Sequence, residues 1–278
     1  MSDNDANLAF GRFLKFWRSV HEMSQEYLAA QINSSPRHIS RLENGISRPS
    51  QTMLLEIASA LNLGQRDRNH LLIAAGFLPN HDELNFHAPE LKWLRKSMML
   101  ALRALDPYPT TLTNDASDIL MVNRGWVALY GQMTEKSVLD EVVNTTDFFF
   151  SAQGASAFIT GREDFLSVLL MSYEQRALFS NEHRDHQRRD RLARQKFVPP
   201  DWRQRAAKLE PTASFRLQIS LNGQLHKFIS VNSAVSAHGP AAVMSGPSLL
   251  LNTLYPEDAF LDLSQYVHDG LRHPLLYY

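Results

Sequence analysis

A five-helix all-α domain followed by an α+β domain, the latter an antiparallel sheet of about five strands with helices, is the architecture this sequence predicts. Three observations carry it. Residues 23–50 form two short helical patterns separated by a polar break, and apolar residues at helical spacing flank them on both sides. Further along, Leu221-Asn222-Gly223-Gln224 joins two alternating runs in the manner of a two-residue β-hairpin. Between that hairpin and the first domain lie two long apolar-striped helical stretches and two short apolar runs.

At 278 residues the chain has room for one small and one medium domain, each with its own core. Its formal net charge is −1, yet residues 8–78 hold Lys15 and seven arginines against five acids, a formal +3. The absence of cysteine excludes disulfides, thiolate metal sites and a cysteine nucleophile. The first ten residues lack the basic start and apolar run of a signal peptide, and no stretch approaches the ~20 apolar residues that span a bilayer. A cytoplasmic protein with no membrane partner is expected.

Leu8 to Val20 places Phe10, Phe13, Leu14, Trp17 and Val20 at helical spacing, a core helix with Arg12, Lys15 and Arg18 facing out. Tyr27, Leu28 and Ile32 give the apolar face of the next helix, and Ile39 and Leu42 that of the third. Ser24 caps the second helix and Ser34 or Ser35 the third, with Pro36 in a first turn where its missing N–H costs nothing. Gly45 stops the third helix. Thr52 to Leu61 and Arg66 to Ala75 complete the bundle, which Gly76-Phe77-Leu78-Pro79 ends. The third helix shows Arg37, His38, Ser40 and Arg41 to solvent, donors that suit base edges and phosphates.

Phe10-Gly11, Leu14-Lys15, Trp17-Arg18, Ser24-Gln25-Glu26 with Leu28-Ala29, Ile39 to Gly45, Arg48-Pro49-Ser50 and the LLEIASAL helix together resemble the lambda-repressor-like, or XRE, DNA-binding family over residues 8–78. The resemblance implies a phosphate contact from Gln25 and base contacts from Pro36, Arg37 and His38, with Arg41 one turn later. It implies further phosphate contacts from Ser35, Asn44 and Arg48. Pro36 offers only apolar contact, so Arg37 and Arg41 are expected to carry most direct readout.

Residues 79–89 read as a linker, and Pro89 to Leu105 as a long helix that Pro107 and Pro109 stop. Thr110–Thr113 and Asp118–Asn123 read as strands, Trp126–Tyr130 as a helix, and Arg162–Phe179 as a second long helix. Residues 181–208 hold nine Lys and Arg against four acids; interspersed Asp185 and Asp190 at helical spacing favour a solvated helix over a nucleic-acid patch. His183 and His186 stand at i, i+3 without a third ligand, so no metal is expected. Strands are expected at 214–220, 227–232 and 249–255, with Val243-Met244 contributing to the last pairing. This order of strands and helices is PAS-like, a fold able to enclose an apolar pocket.

Leu105 to Pro109, Asp118 to Asn123 with Trp126 and Leu129-Tyr130-Gly131, Phe150-Ser151 with Gly154, Pro200 to Arg203, and Leu250 to Asp258 resemble the MmyB-like ligand-binding domain over residues 90–260. The resemblance implies a cavity for a small apolar effector such as a fatty acid. The candidate lining is Leu120, Val122, Trp126, Phe149, Phe165, Leu169, Phe215, Leu217 and Phe228, although for Trp126, Phe149 and Phe228 a plain core role is the stronger reading. Residues 261–278 fall outside it, as a tail or a dimer contact through Leu275, Leu276, Tyr277 and Tyr278. Motifs of catalysis are missing, and no cofactor is expected. The function expected is a transcriptional regulator that reads double-stranded DNA as a homodimer on a palindromic operator under control of a small molecule. The alternative is a C-terminal half that serves only protein interaction or dimerisation.

Overall fold

A computed structural model describes residues 3–77, 85–180, 183–209, 215–236, 248–258 and 260–278. The expected features at residues 79–84 and Val243-Met244 lie outside them. The chain divides into two compact units, the second made of Asn85–Val235 and Leu249–Tyr278.

The first unit is a bundle of α1 (Asp3–Val20), α2 (Gln25–Gln31), α3 (Pro36–Glu43), α4 (Gln51–Ala60) and α5 (Gln65–Ala74). Three helices start at serine caps: Ser24 Oγ accepts from Tyr27 N, Ser35 Oγ from His38 N and Ser50 Oγ from Met53 N. Each satisfies one of the orphan donors of a helix start. Gly45 at φ +70° closes α3, with Ile46 N donating to Arg41 O. Phe10, Leu14, Leu28, Ile39, Leu42, Leu54, Ile57, Leu61, Leu71 and Leu72 are fully buried. At roughly 1.5–3 kcal/mol for each such side chain, they dominate the stability of the unit. The exposed faces differ from the sequence reading at Phe13, Val20 and Tyr27, which stand out to solvent. Helical spacing alone does not say how wide the buried stripe is.

The second unit begins with a 3-10 turn at Pro89–Leu91 and then α6 (Lys92–Ala104), in place of one continuous helix from Pro89. Arg95 donates to the carbonyls of Phe86 and Ala88, both at 2.7 Å, so residues 86–88, read as linker, are tied to α6. There follow β1 (Thr110–Thr113), β2 (Ile119–Val122), α7 (Arg124–Gly131), α8 (Lys136–Asp140), α9 (Thr145–Phe149), α10 (Arg162–Ser180), α11 (His183–Ala193), α12 (Trp202–Lys208), β3 (Phe215–Leu221), β4 (Gln224–Ser236) and β5 (Ser248–Pro256). The sheet order is β2-β1-β5-β4-β3, with β1 antiparallel to β2 and β5, and β3 antiparallel to β4. Asn222 at φ +50° and Gly223 at φ +80° make the two-residue turn between β3 and β4, and Leu221 pairs with Gln224. Asn123, fully buried, caps α7 and also accepts from Thr110 N, binding the strand pair to that helix.

Register assigns the faces of the sheet. Thr110 stands opposite Thr253 and their hydroxyls lie 3.2 Å apart; Thr111 stands opposite Asn252 and Thr113 opposite Leu250. Because side chains alternate, Thr111, Thr113, Leu250, Asn252 and Leu254 share the other face. Trp126, Val122, Phe148, Leu217, Ile219 and Phe228 belong to the main core of this unit.

Two expectations are corrected. The basic helix α11 is not simply solvated: Arg188 donates to Ala116 O (2.7 Å) and Asn144 Oδ1 (2.9 Å), Arg189 pairs with Glu174, and Arg191 pairs with Asp147 at 2.7 Å. Residues 261–278 are part of the fold. Leu263 and His273 are buried, Leu275 O accepts from Val122 N at 2.9 Å, and Tyr278 OH donates to Asp106 Oδ2 at 3.0 Å. Among the described residues, no helix is long and apolar enough to cross a membrane.

Candidate functional site

Two sites emerge, one in each unit. In the first, α2 and α3 are locked to α1 by one carboxylate. Glu43 accepts from Arg18 Nε (2.6 Å) and Nη2 (3.1 Å) and from Gln25 Nε2 (2.8 Å), while Arg18 Nη1 donates to Met23 O at 2.6 Å. The Glu43 hydrogen bond holds the Arg18 guanidinium above its ordinary value. Behind this knot, an added Cβ on Gly11 would sit 2.5 Å from Glu43 O and 2.6 Å from Leu42 O, so α1 crosses α3 backbone against backbone. The outer face of α3 is thereby fixed, with Pro36, Arg37 and Arg41 exposed and His38 half-buried.

In the second unit a cavity of about 340 Å³ lies between the sheet and helices α9 and α10. Thr111 and Thr113 of β1, Leu250, Asn252 and Leu254 of β5, Ser230 and Asn232 of β4 and Leu217 of β3 form its sheet wall. The helical wall is graded along α10: Phe165 and Leu169 come first, then Ser172, Tyr173 and Arg176. These positions recur at helical intervals and place one face of α10 along the cavity. Phe149 stacks edge-on with Phe165 at 5.0 Å between ring centroids, closing the apolar end. At the polar end Tyr173 OH bonds Thr146 Oγ1 and lies 3.0 Å from Ser117 Oγ, and the Arg188 guanidinium lies 5.4 Å from the centroid of its ring. Arg176 bonds Asp115 O and pairs with Asp185 at 3.6 Å.

Residues 21–64 match the family model for helix-turn-helix domains, and residues 94–175 match the model for the MmyB-like transcription regulator ligand binding domain. The two units of the chain are thus similar, in turn, to a helix-turn-helix domain and to an MmyB-like regulator domain. A solved structure, the clp gene regulator ClgR from C. glutamicum, aligns at 27% identity over 26% of this chain and 88% of that one, with a TM-score of 0.23. No curated protein matches the chain.

In the helix-turn-helix domain the residues expected at DNA lie on or beside α2 and α3, several already engaged. Gln25 opens α2 and spends one amide proton on Glu43, which leaves the second. Ser35 is the cap of α3, and Asn44 donates to Ser40 O at 2.8 Å. Arg41 Nε donates to Ser47 Oγ at 3.0 Å, which steers its exposed guanidinium. Arg48 donates to Ala75 O at 3.4 Å and has its guanidinium 5.5 Å from the centroid of the Phe77 ring, so it also holds the end of α5. Arg37 projects from the first turn of α3.

In the second unit, Phe149, Phe165, Leu169 and Leu217 line the cavity. Trp126 bounds a smaller void of about 20 Å³ that shares Thr111, Tyr130, Thr145 and Phe149 with the main cavity. Val122 and Phe228 are core residues, 1% and 0% exposed, and Leu120 is half-buried outside the lining. Phe215 occupies β3 opposite Ser230, its side chain lying outside the described residues. The sequence reading missed the polar half: Thr111, Thr113, Ser117, Thr145, Thr146, Ser172, Tyr173, Arg176, Ser230, Asn232 and Asn252. Threonine at alternate positions of a strand beside a bulky apolar neighbour was the available signal, but it reads equally as a solvent face.

Proposed function

We propose that this protein is a sequence-specific DNA-binding transcriptional regulator, not an enzyme, whose C-terminal domain binds a small, partly apolar molecule. The observation that supports the reading most directly is the pairing of an exposed arginine face on α3 with an open cavity in a domain matching a ligand-binding family. A homodimer would set two recognition helices about 34 Å apart on a palindromic operator, one turn of DNA. The ligand would act by preferring one arrangement of that dimer over another. The apolar end, walled by Phe149, Phe165, Leu169 and Leu217, suits an acyl-like portion of the fatty-acid kind that the resemblance implies. The rival reading, a C-terminal module for protein interaction alone, calls for an interior filled by its own side chains, and the cavity speaks against it.

The test is binding to a selected operator at fixed salt. Arg41→Ala is expected to cost about 1–3 kcal/mol and to relax preference at one base position. Gln25→Ala is expected to weaken all sequences alike. Unchanged affinity and preference in Arg41→Ala would remove Arg41 from readout.

A further inference from the structure

Building on the ligand reading above, we infer that the bound molecule carries an uncharged head rich in hydrogen-bonding groups, held by the threonine and asparagine cluster of the sheet wall. Thr111, Thr113 and Thr145 line the cavity with side chains that carry a hydroxyl, and Thr145 Oγ1 is buried with no hydrogen-bond partner among the described residues. Thr111 and Thr113 are 4% and 7% exposed. Leaving a hydroxyl buried and unpaired is unfavourable, so Thr145, with Thr111 and Thr113 lining the same cavity, marks a polar stretch of wall that suits a guest's hydrogen-bonding groups better than hydrocarbon. Beside them, Asn252 Nδ2 donates to Ser230 Oγ and Asn232 Oδ1, both at 2.7 Å. That arrangement spends the donors of Asn252 and turns its carbonyl oxygen into a free acceptor, while Asn232 keeps a free amide nitrogen. Hydroxyls, an amide acceptor and an amide donor together match a neutral diol, ester or amide.

Charge points the same way. Arg176 is the one ionic side chain lining the cavity among the described residues, and Asp185 with Asp115 O already engages it. A carboxylate placed at the threonines would be desolvated without a free cation beside it, which is costly. The volume, about 340 Å³, stands at the small end of ligand pockets, about 300–1,000 Å³, and favours a short tail.

Isothermal titration calorimetry of the full chain with 1-monooctanoylglycerol and with octanoic acid separates the possibilities, since the two share a tail and differ in head. The monoglyceride is expected to bind at least tenfold tighter, and Thr111→Val/Thr113→Val to weaken it at least tenfold while leaving the acid unchanged. Valine keeps the shape of threonine and removes only the hydroxyls, so thermal unfolding of this variant should stay close to the parent. Equal or tighter binding of octanoic acid, or a monoglyceride affinity indifferent to the double substitution, would overturn the head-group inference and leave the ligand reading standing. Binding of neither compound would sink the ligand reading, and this inference with it.

Discussion

Gly11 illustrates how much a single position decides in the DNA-reading unit. Alanine at a helix interior gains about 1 kcal/mol over glycine in propensity. Here its methyl would meet the carbonyls of Leu42 and Glu43, backbone atoms that cannot rotate away. Overpacking of this kind costs about 1–3 kcal/mol. Gly11→Ala is therefore expected to lower the thermal midpoint and to weaken operator binding together, because relief of the clash displaces α3; an unchanged midpoint would show that α1 shifts freely. Glu174 is the corresponding residue in the second unit. Burial penalises its carboxylate, but the hydrogen bonds and charges of Arg189 and Arg203 outweigh that and hold it below its ordinary value. Tyr130, lacking such a partner, is pushed up by burial alone.

At the scale of elements, the C-terminal segment is a strap closed by His273. Its Nε2–H donates to Leu139 O at 2.9 Å and its Nδ1 accepts from Leu275 N at 3.1 Å, a pattern that only the neutral ring can satisfy. Burial depresses its proton affinity below the ordinary value near 6.5, against the pull of Leu139 O and Asp140. The unfolded chain then binds the proton more readily. This contribution to stability is complete above about pH 6.5 and is lost as pH falls toward the depressed native value. Urea midpoints at pH 7.5 and 5.5 are expected to differ more for the parent than for His273→Gln; equal differences would remove His273 from the pH response. The short elements α8 and α9 belong to the same lesson. Five residues each is too little for a periodic signal, and α9 exists because Asn144, itself held by Asp118 and Ala116 O, caps it.

For the whole molecule, electrostatics is set by where arginines turn. The basic run of α11 spends Arg188, Arg189 and Arg191 on internal partners. The salt dependence of DNA binding should accordingly arise from the first unit. Arg191→Ala is expected to leave the slope of log K against log salt unchanged, where loss of a phosphate contact would reduce its magnitude by about 0.9. What could be read in advance follows the range of the interactions. Ser24, Ser35, Gly45 and Asn222-Gly223 act on neighbours within four residues, so their helices and hairpin were legible. The polar half of the cavity was not, because Thr113, Tyr173 and Asn252 meet only through the pairing of distant strands and a crossing helix. Apolar residues mark one end of the pocket, but Val122, equally apolar, belongs to the core beside it, as does Phe228, for which the core role is the stronger reading.

The knot at Glu43 has a thermodynamic corollary. One carboxylate fastens three helices before DNA arrives, so the reading head has little ordering left to do on contact. Association then lacks the large negative heat-capacity change of coupled folding, and its enthalpy varies only gently with temperature. For the dimer proposed above, that rigidity would direct the action of an effector to the spacing of two finished heads and leave the shape of each unchanged.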